Sequence, residues 1–326
     1  MNVAVLGAGA WGTALALVLQ QDRHRITLWG HDPAHLAHMA GARRNERYLP
    51  GIELPADWRY EADLTRAVAG QDCVVVAVPS KAIRDVGIAL KEHAGVAVTV
   101  TKGIEYETGL TMSGVLAGLA PHARIAALSG PSLAQEVARG VPTAVVAASA
   151  DLATAAQVQQ LFHRPCFRVY TSPDVLGVEL GGALKNVVAV AAGVGDGLGF
   201  GDNTKAALVT RAIVEIRRLG VACGAQAETF SGLSGLGDLT VTCFSRLSRN
   251  RCLGERLGRG ERLEEILAGS TAIAEGYPTA RAAHQLARRH GVATPIIDEV
   301  YALLYEGKPP AQTVADLTGR ESKAEV

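Results

Sequence analysis

From residue 2 to residue 170, short apolar runs alternate with longer stretches in which apolar residues recur every three or four positions. The runs NVAVL (2–6), RITLW (25–29), CVVVAV (73–78), VAVTV (96–100), RIAAL (124–128), TAVVAA (143–148) and FRVY (167–170) read as strands. Several are apolar throughout, as expected where helices cover both faces of a parallel sheet. The spacing between them predicts helices over 11–21, 61–69, 80–93, 109–119, 132–139 and 151–163. This succession is the pattern of a doubly wound α/β domain. Beyond TSPD (171–174) the strand-like runs stop, and helical stretches follow at 174–194, 203–223, 250–258, 262–268, 278–290 and 295–306. Pro173 suits a helix start with Ser172 as its cap. The boundary therefore falls near 172, giving an α/β domain over 1–172 and an all-helical domain over 173–326. The closing GRESKAEV reads as a frayed tail.

The first strand runs directly into GAGAWG, which sets Gly7, Gly9 and Gly12 as GxGxxG between strand and helix. In that context Gly7 serves the tight turn, Gly9 the approach of a pyrophosphate to the backbone, and Gly12 close packing of helix on strand. The phosphates would meet a helix N-terminus, where free N–H groups and the dipole favour anions. Asp32, 20 residues after Gly12, stands where an acidic residue grips the ribose hydroxyls of NAD. His31 adjoins it, and Arg43, Arg44 and Arg47 follow, either as a solvated face or as acceptors of the 2′-phosphate of NADP. Both cofactors remain open on these residues. Two further apolar strands end at Pro79 and Lys102, and SGPS (129–132) ends a third. Ligands of open α/β sheets bind outside the carboxyl ends of strands, which marks Lys102, Gly130 and Ser132 as candidates. Ser132 serves equally well as a helix cap.

In the helical half, GVELGGALKNVVAVAAGVG (177–195) reads as one buried helix with a single Lys185 at its centre. A lysine is costly in an apolar interior. Gly177, Gly181 and Lys185 share one helix face, and the glycines suggest clearance for a flat ligand, with Lys185 as its catalytic neighbour. The competing reading is tight helix packing with a lysine that snorkels to solvent. Asp238, in the glycine-rich turn GLGDL, is placed to bind substrate hydroxyls, to hold the Lys185 ammonium, or to cap a helix. Ser248, Arg249 and Asn250 open a helix that ends at Gly258 and Gly260. A capped N-terminus beside an arginine makes an anion site, where it is not a plain surface helix.

Composition narrows the partners. Among 326 residues, 48% are hydrophobic and 20% charged, with 32 basic residues balancing 32 acidic ones. That balance gives no support to nucleic-acid or membrane-surface binding. The most apolar stretch, near 187–194, is bounded by Lys185 and Asp196 and is too short to insert stably in a bilayer. Cysteines 73, 166, 223, 243 and 252 form no CxxC pair and fit a reduced compartment without a zinc cluster. The opening MNVAVLGAG enters a strand with no basic leader, so a cytoplasmic protein is expected. HExxH, GxSxG and P-loop patterns are absent, and no metal site is expected.

The ordered set GAGAWGTALA, LWGHD, RYLPG, TKG, SGPS, GGALKN, GLGDL, SRN and AEGY resembles bacterial-type NAD(P)-dependent glycerol-3-phosphate dehydrogenase along nearly the whole chain. The resemblance implies a Rossmann-like domain, then a helical domain like the C-terminal domain of 6-phosphogluconate dehydrogenase. It implies a homodimer that interconverts dihydroxyacetone phosphate and sn-glycerol 3-phosphate with NADP or NAD, supplying the backbone of phospholipids. It carries cofactor contacts onto Gly7, Gly9, Ala10, Trp11, Gly12, His31, Tyr48, Lys102, Ala134, Arg249, Ile273 and Glu275. It carries substrate contacts onto Lys102, Gly130, Ser132, Lys185, Asp238, Ser248, Arg249 and Asn250, with Lys185 as the general acid–base. Ala10 and Ile273 stand where the family often has serine and valine. Two rivals remain at this level: a dehydrogenase of the same architecture for another hydroxy acid, and a non-catalytic dinucleotide sensor.

Overall fold

A computed structural model of the chain describes residues 1–20, 24–269 and 274–321. It divides into two compact units. The first comprises Met1–Glu105 and Leu110–Glu179; the second comprises Tyr106–Gly109 and Leu180–Val326. The division falls between Glu179 and Leu180, within a helix.

The first unit holds the strands β1 (Asn2–Leu6), β2 (Arg25–Trp29), β3 (Arg44–Asn45), β4 (Leu49–Glu53), β5 (Arg59–Glu61), β6 (Cys73–Val76), β7 (Val96–Thr99), β8 (Arg124–Ser129), β9 (Thr143–Ala148) and β10 (Phe167–Ser172). Eight of them form one sheet in the order β10-β9-β8-β7-β6-β1-β2-β5, and β3 pairs with β4 alone. The six strands from β8 to β5 are parallel; β9 runs antiparallel to β8, so β9 and β10 reverse the direction expected of a purely parallel sheet. Central strands β1, β6 and β7 are buried at nearly every position, which is why their sequences do not alternate. The strand order turns back at β1, so the crevice beyond the carboxyl ends of β1 and β6 is the topological switch point.

Among the described residues seven helices accompany this sheet: α1 (Ala10–Gln20), α2 (Pro33–Ala42), α3 (Leu64–Val68), α4 (Ile83–Gly87), α5 (Met112–Leu119), α6 (Ala134–Ala138) and α7 (Leu152–Phe162). The expected helix over 80–93 is three short turns, with 3-10 segments at Ser80–Ala82 and Ile88–Leu90 flanking α4. The expected helix over 61–69 shrinks to α3, capped by the Asp63 carboxylate, because 59–61 pairs with β2. α2 and the β3–β4 hairpin lie where no element was expected. Pro33 and the Asp32 cap start α2, but only Leu36 and Met39 are buried, too few for a periodic signal. Within this unit the buried Glu179 carboxylate accepts from the Ser113 amide at 3.0 Å and also receives the Ser113 hydroxyl, fixing the start of α5. Burial pushes that carboxyl up, against the pull of these bonds.

The second unit is helical. The long helix α8 (Val175–Gly197) begins in the last residues of the first unit and continues into this one, followed by α9 (Asp202–Ala222), α10 (Asp238–Phe244), α11 (Arg249–Gly258), α12 (Leu263–Ala268), α13 (Gly276–Arg289), α14 (Pro295–Tyr305) and α15 (Pro310–Thr318). The cap of α8 is Asp174, which accepts from Gly177 N at 2.9 Å; Ser172 instead accepts from Asp174 N at 3.1 Å. Among the described residues α8 is the one helix long and apolar enough to cross a membrane, and 83% of its most apolar window is buried within the fold.

Helices α8 and α11 meet backbone to backbone. A Cβ at Gly193 or Gly197 would collide with the Arg251 or Glu255 carbonyl, and one at Gly254 or Gly258 with the Val190 or Val194 carbonyl. Glycine is what lets two helix backbones approach this closely. A buried ion cluster closes the same contact: Asp196 lies 2.7 Å from Lys205 and 2.6 Å from Arg251.

Candidate active site

The residues singled out in the sequence divide between the two units. In the first, Gly7 adopts φ +131°, and a Cβ there would strike the Ala77 carbonyl that follows β6. Gly12 packs on the Gly7 carbonyl. Gly9 differs: a Cβ there would meet nothing within 4 Å. Two glycines are therefore demanded by packing, and the third opens a space at the switch point. The first-turn amides of α1, beginning at Ala10 and half-buried Trp11, lack intrahelical carbonyl partners by helix geometry. That combination fits a dinucleotide diphosphate. Buried Asn45 braces the loop from β3, donating to the Ala8 carbonyl at 3.0 Å and to Thr13 Oγ1 at 2.8 Å. Asn45 was not singled out in the sequence, because its partners lie more than 30 residues away and only the hairpin brings them together.

His31 is exposed, and Asp32 caps α2 by accepting from His35 N at 3.1 Å. Tyr48 meets the His35 ring edge-on with centroids 5.3 Å apart. On the other side of the switch point, Lys102 Nζ donates to the Gly130 carbonyl at 3.0 Å, and Ser132 Oγ donates to the same carbonyl at 2.9 Å. Gly130 has φ +142°, and a Cβ would press on the Val145 backbone at 2.9 Å. The structure thus gathers Lys102, Gly130 and Ser132 around one carbonyl. Ser132 does not cap a helix; α6 starts at Ala134 behind Leu133 and packs on α1, which brings Ala134 and Ala10 into one core cluster.

In the second unit Lys185 does not snorkel. Its side chain is 9% exposed, and Nζ donates to Asp238 Oδ1 at 2.8 Å and to Thr242 Oγ1 at 2.7 Å. The Thr242 hydroxyl donates to the Asp238 carbonyl at 2.6 Å, which leaves its lone pairs toward the ammonium. Asp238 opens α10 after a π-helical turn at Leu233–Gly237, and its carboxylate holds the Lys185 ammonium, one of the readings its sequence context allowed. The spacing Asp238–Thr242 is i, i+4, a signal for Thr242 that lay in the sequence unused. Gly181 is not clearance for a ligand: a Cβ there would approach the Ser234 carbonyl at 2.7 Å, so the glycine admits the turn that delivers Asp238.

Ser248 caps α11, accepting from Arg251 N at 3.2 Å. Arg249 keeps exposed surface, yet burial around its guanidinium pushes its pKa down, against the attraction of the Glu275 carboxylate at the start of α13. Asn250 is buried; its Nδ2 donates to Asn186 Oδ1 at 2.8 Å, and its Oδ1 accepts from Gly276 N at 2.8 Å. It joins α8, α11 and α13 one residue from Lys185. Ile273 lies outside the described residues.

A nucleotide-binding α/β unit followed by a helical unit that carries the ionisable chemistry is the plan of a nicotinamide-dependent dehydrogenase. Residues 2–155 match the family model for the NAD-dependent glycerol-3-phosphate dehydrogenase N-terminus, and residues 174–315 match that for the C-terminus. The chain belongs to this family of oxidoreductases. It is similar to a Chlorobium limicola protein named glycerol-3-phosphate dehydrogenase (NAD(P)+), 47% identical over 332 residues and 100% of both chains. A Geobacter metallireducens protein of the same name is 50% identical over 330 residues, covering 99% of this chain and 98% of that one. Among solved structures, glycerol-3-phosphate dehydrogenase from Coxiella burnetii superposes with TM-score 0.94 at 37% identity, covering 98% of this chain and 99% of that one.

Proposed function

We propose that the protein catalyses the reversible NAD(P)H-dependent reduction of dihydroxyacetone phosphate to sn-glycerol 3-phosphate, in the cytoplasm and as a homodimer, supplying the backbone of phospholipids. The observation that carries the chemistry is the Lys185 ammonium, buried on α8 and held by Asp238 and Thr242. The bound nicotinamide supplies or accepts the hydride at C2 of the substrate. As C2 is reduced, negative charge grows on the ketone oxygen, and Lys185 Nζ stabilises it and delivers the proton. In the reverse direction the same nitrogen takes the proton from the C2 hydroxyl. Asp238 and Thr242 fix the direction of the Nζ protons. Ser248, Arg249 and Asn250 hold the substrate phosphate, the arginine bidentately, and that remote binding orients the carbonyl. Lys102, Gly130 and Ser132 complete the substrate contacts.

Gly7, Gly9, Ala10, Trp11, Gly12, His31, Tyr48 and Ala134 hold the dinucleotide, with Lys102, Arg249, Ile273 and Glu275 toward its reactive end. The name carried by relatives at 47–50% identity supports this substrate, and the intact Lys185–Asp238 pair argues against a non-catalytic sensor. The deciding experiment follows NADH and NADPH absorbance with dihydroxyacetone phosphate, then with a panel of keto acids. Turnover of the phosphorylated ketone by at least one cofactor is expected. Turnover of a keto acid instead, or of nothing, overturns the reading.

A further inference from the structure

The three arginines that follow Asp32 are not equivalent. Arg43 ends α2 with φ 51°; its Nε donates to the Leu54 carbonyl at 3.2 Å, and its guanidinium pairs with Glu53 at 3.0 Å. It is spent on the β3–β4 hairpin. Arg44 turns to Glu46 at 3.6 Å. Arg47 alone of the three faces the α2 cap, with Nη1 3.8 Å from Asp32 Oδ2 and its guanidinium 5.1 Å from the Tyr48 ring centroid.

Asp32 follows β2 at the position that meets the adenine-side ribose in this fold. Its hydrogen bond from His35 N, and then the Ala34 amide, the field of His35 and last that of Arg47, hold the carboxyl below its ordinary range against desolvation, so it is ionised at neutral pH. An ionised carboxylate there welcomes a ribose diol and repels a 2′-phosphate. Only a nearby cation that is free to change partner removes that repulsion. Arg47 qualifies: its separation from Asp32 exceeds a hydrogen bond, its side chain is 52% exposed, and Tyr48 supports its flat face.

We propose that Arg47 is the residue that admits NADP(H), turning from Asp32 to grip the 2′-phosphate, while Asp32 serves the ribose hydroxyls when NAD(H) binds. The inference rests on the dinucleotide reading of this site and assigns its specificity. Calorimetric titration with 2′,5′-ADP and with 5′-AMP, which differ only in the 2′-phosphate, isolates the contact without turnover. In Arg47→Gln the preference for 2′,5′-ADP over 5′-AMP is expected to fall fivefold or more, and the NADPH-to-NADH ratio of kcat/KM to fall with it. Arg47→Lys, which keeps the charge, should retain most of the preference. A change below fivefold, including an equal loss for both ligands, overturns the role of Arg47 alone. Binding of neither ligand by the wild-type protein overturns the dinucleotide reading, and this inference with it.

Discussion

Lys185 donates to one carboxylate oxygen and one hydroxyl in a site nearly closed to water. Breaking a buried ion pair by removing one partner leaves the other charge buried, at a cost of about 3–5 kcal/mol. Lys185→Ala should therefore lose both turnover, by roughly 10²–10⁴-fold for a general acid, and melting temperature. Retained NADPH binding by fluorescence titration would separate the chemical loss from unfolding; near-wild-type turnover would remove Lys185 from the proposed role. At the other end of the chain, Gly9 and Gly12 make opposite predictions although the motif treats them alike. Gly9→Val places a side chain in empty space and should leave the ligand-free melting temperature close to wild type while abolishing the shift given by saturating NADPH. A ligand at a hundredfold excess over Kd contributes about 2.7 kcal/mol, enough to read by calorimetry. Gly12→Val should fail to fold normally, because the Gly7 carbonyl already fills that space.

Elements meet through groups that local sequence does not announce. The α8–α11 contact leaves no room for a Cβ at Gly254, so Gly254→Ala must push the helices apart. Overpacking of this kind costs about 1–3 kcal/mol, and urea unfolding should show at least that loss. A second link runs from α9 to α14: Glu215 accepts from Ile296 N at 3.0 Å and Ile297 N at 2.9 Å. Burial pushes its carboxyl up to about 7, with Asp298 adding to the shift and the two amides and Arg218 opposing it. Folded Glu215 thus holds a proton over a range where the unfolded chain, near 4.5, has released it. Stability from this group is present at low pH and is lost as pH rises through about 7, an effect on the order of 3 kcal/mol. Unfolding free energies from about pH 5 to about pH 8 should fall more for wild type than for Glu215→Gln. Parallel curves would show that Glu215 titrates at its ordinary value.

Across the molecule, the order of strands and helices was legible because β1, β6, β7 and β8 are largely apolar and separated by helical spacing. Elements whose stability comes from partners were not. β5 is three residues at a sheet edge, β4 contains Pro50 and Gly51, and the reversal of β9 leaves no mark on its own sequence. In the candidate site the residue types were readable, but not their partners. Asp238 meets Lys185 only because α10 carries it there, and Asn45 reaches the glycine loop only through a hairpin. Equal numbers of acidic and basic residues give a calculated isoelectric point near 7.1. Solubility in crowding polymer should accordingly pass through a minimum near neutral pH and rise on either side; monotonic behaviour would mean that surface charge does not govern association.

The shared helix contact also bears on how this chain can vary. Every amino acid reachable from a glycine codon by one base change carries a Cβ. At Gly193, Gly197, Gly254 and Gly258, then, no single-nucleotide replacement fits, and compensation would require two backbones to separate at once. In a saturating mutant library selected for function, these positions should stay as blank as Lys185. Their silence would report the geometry that holds the α8 and α11 backbones together, with no chemistry involved.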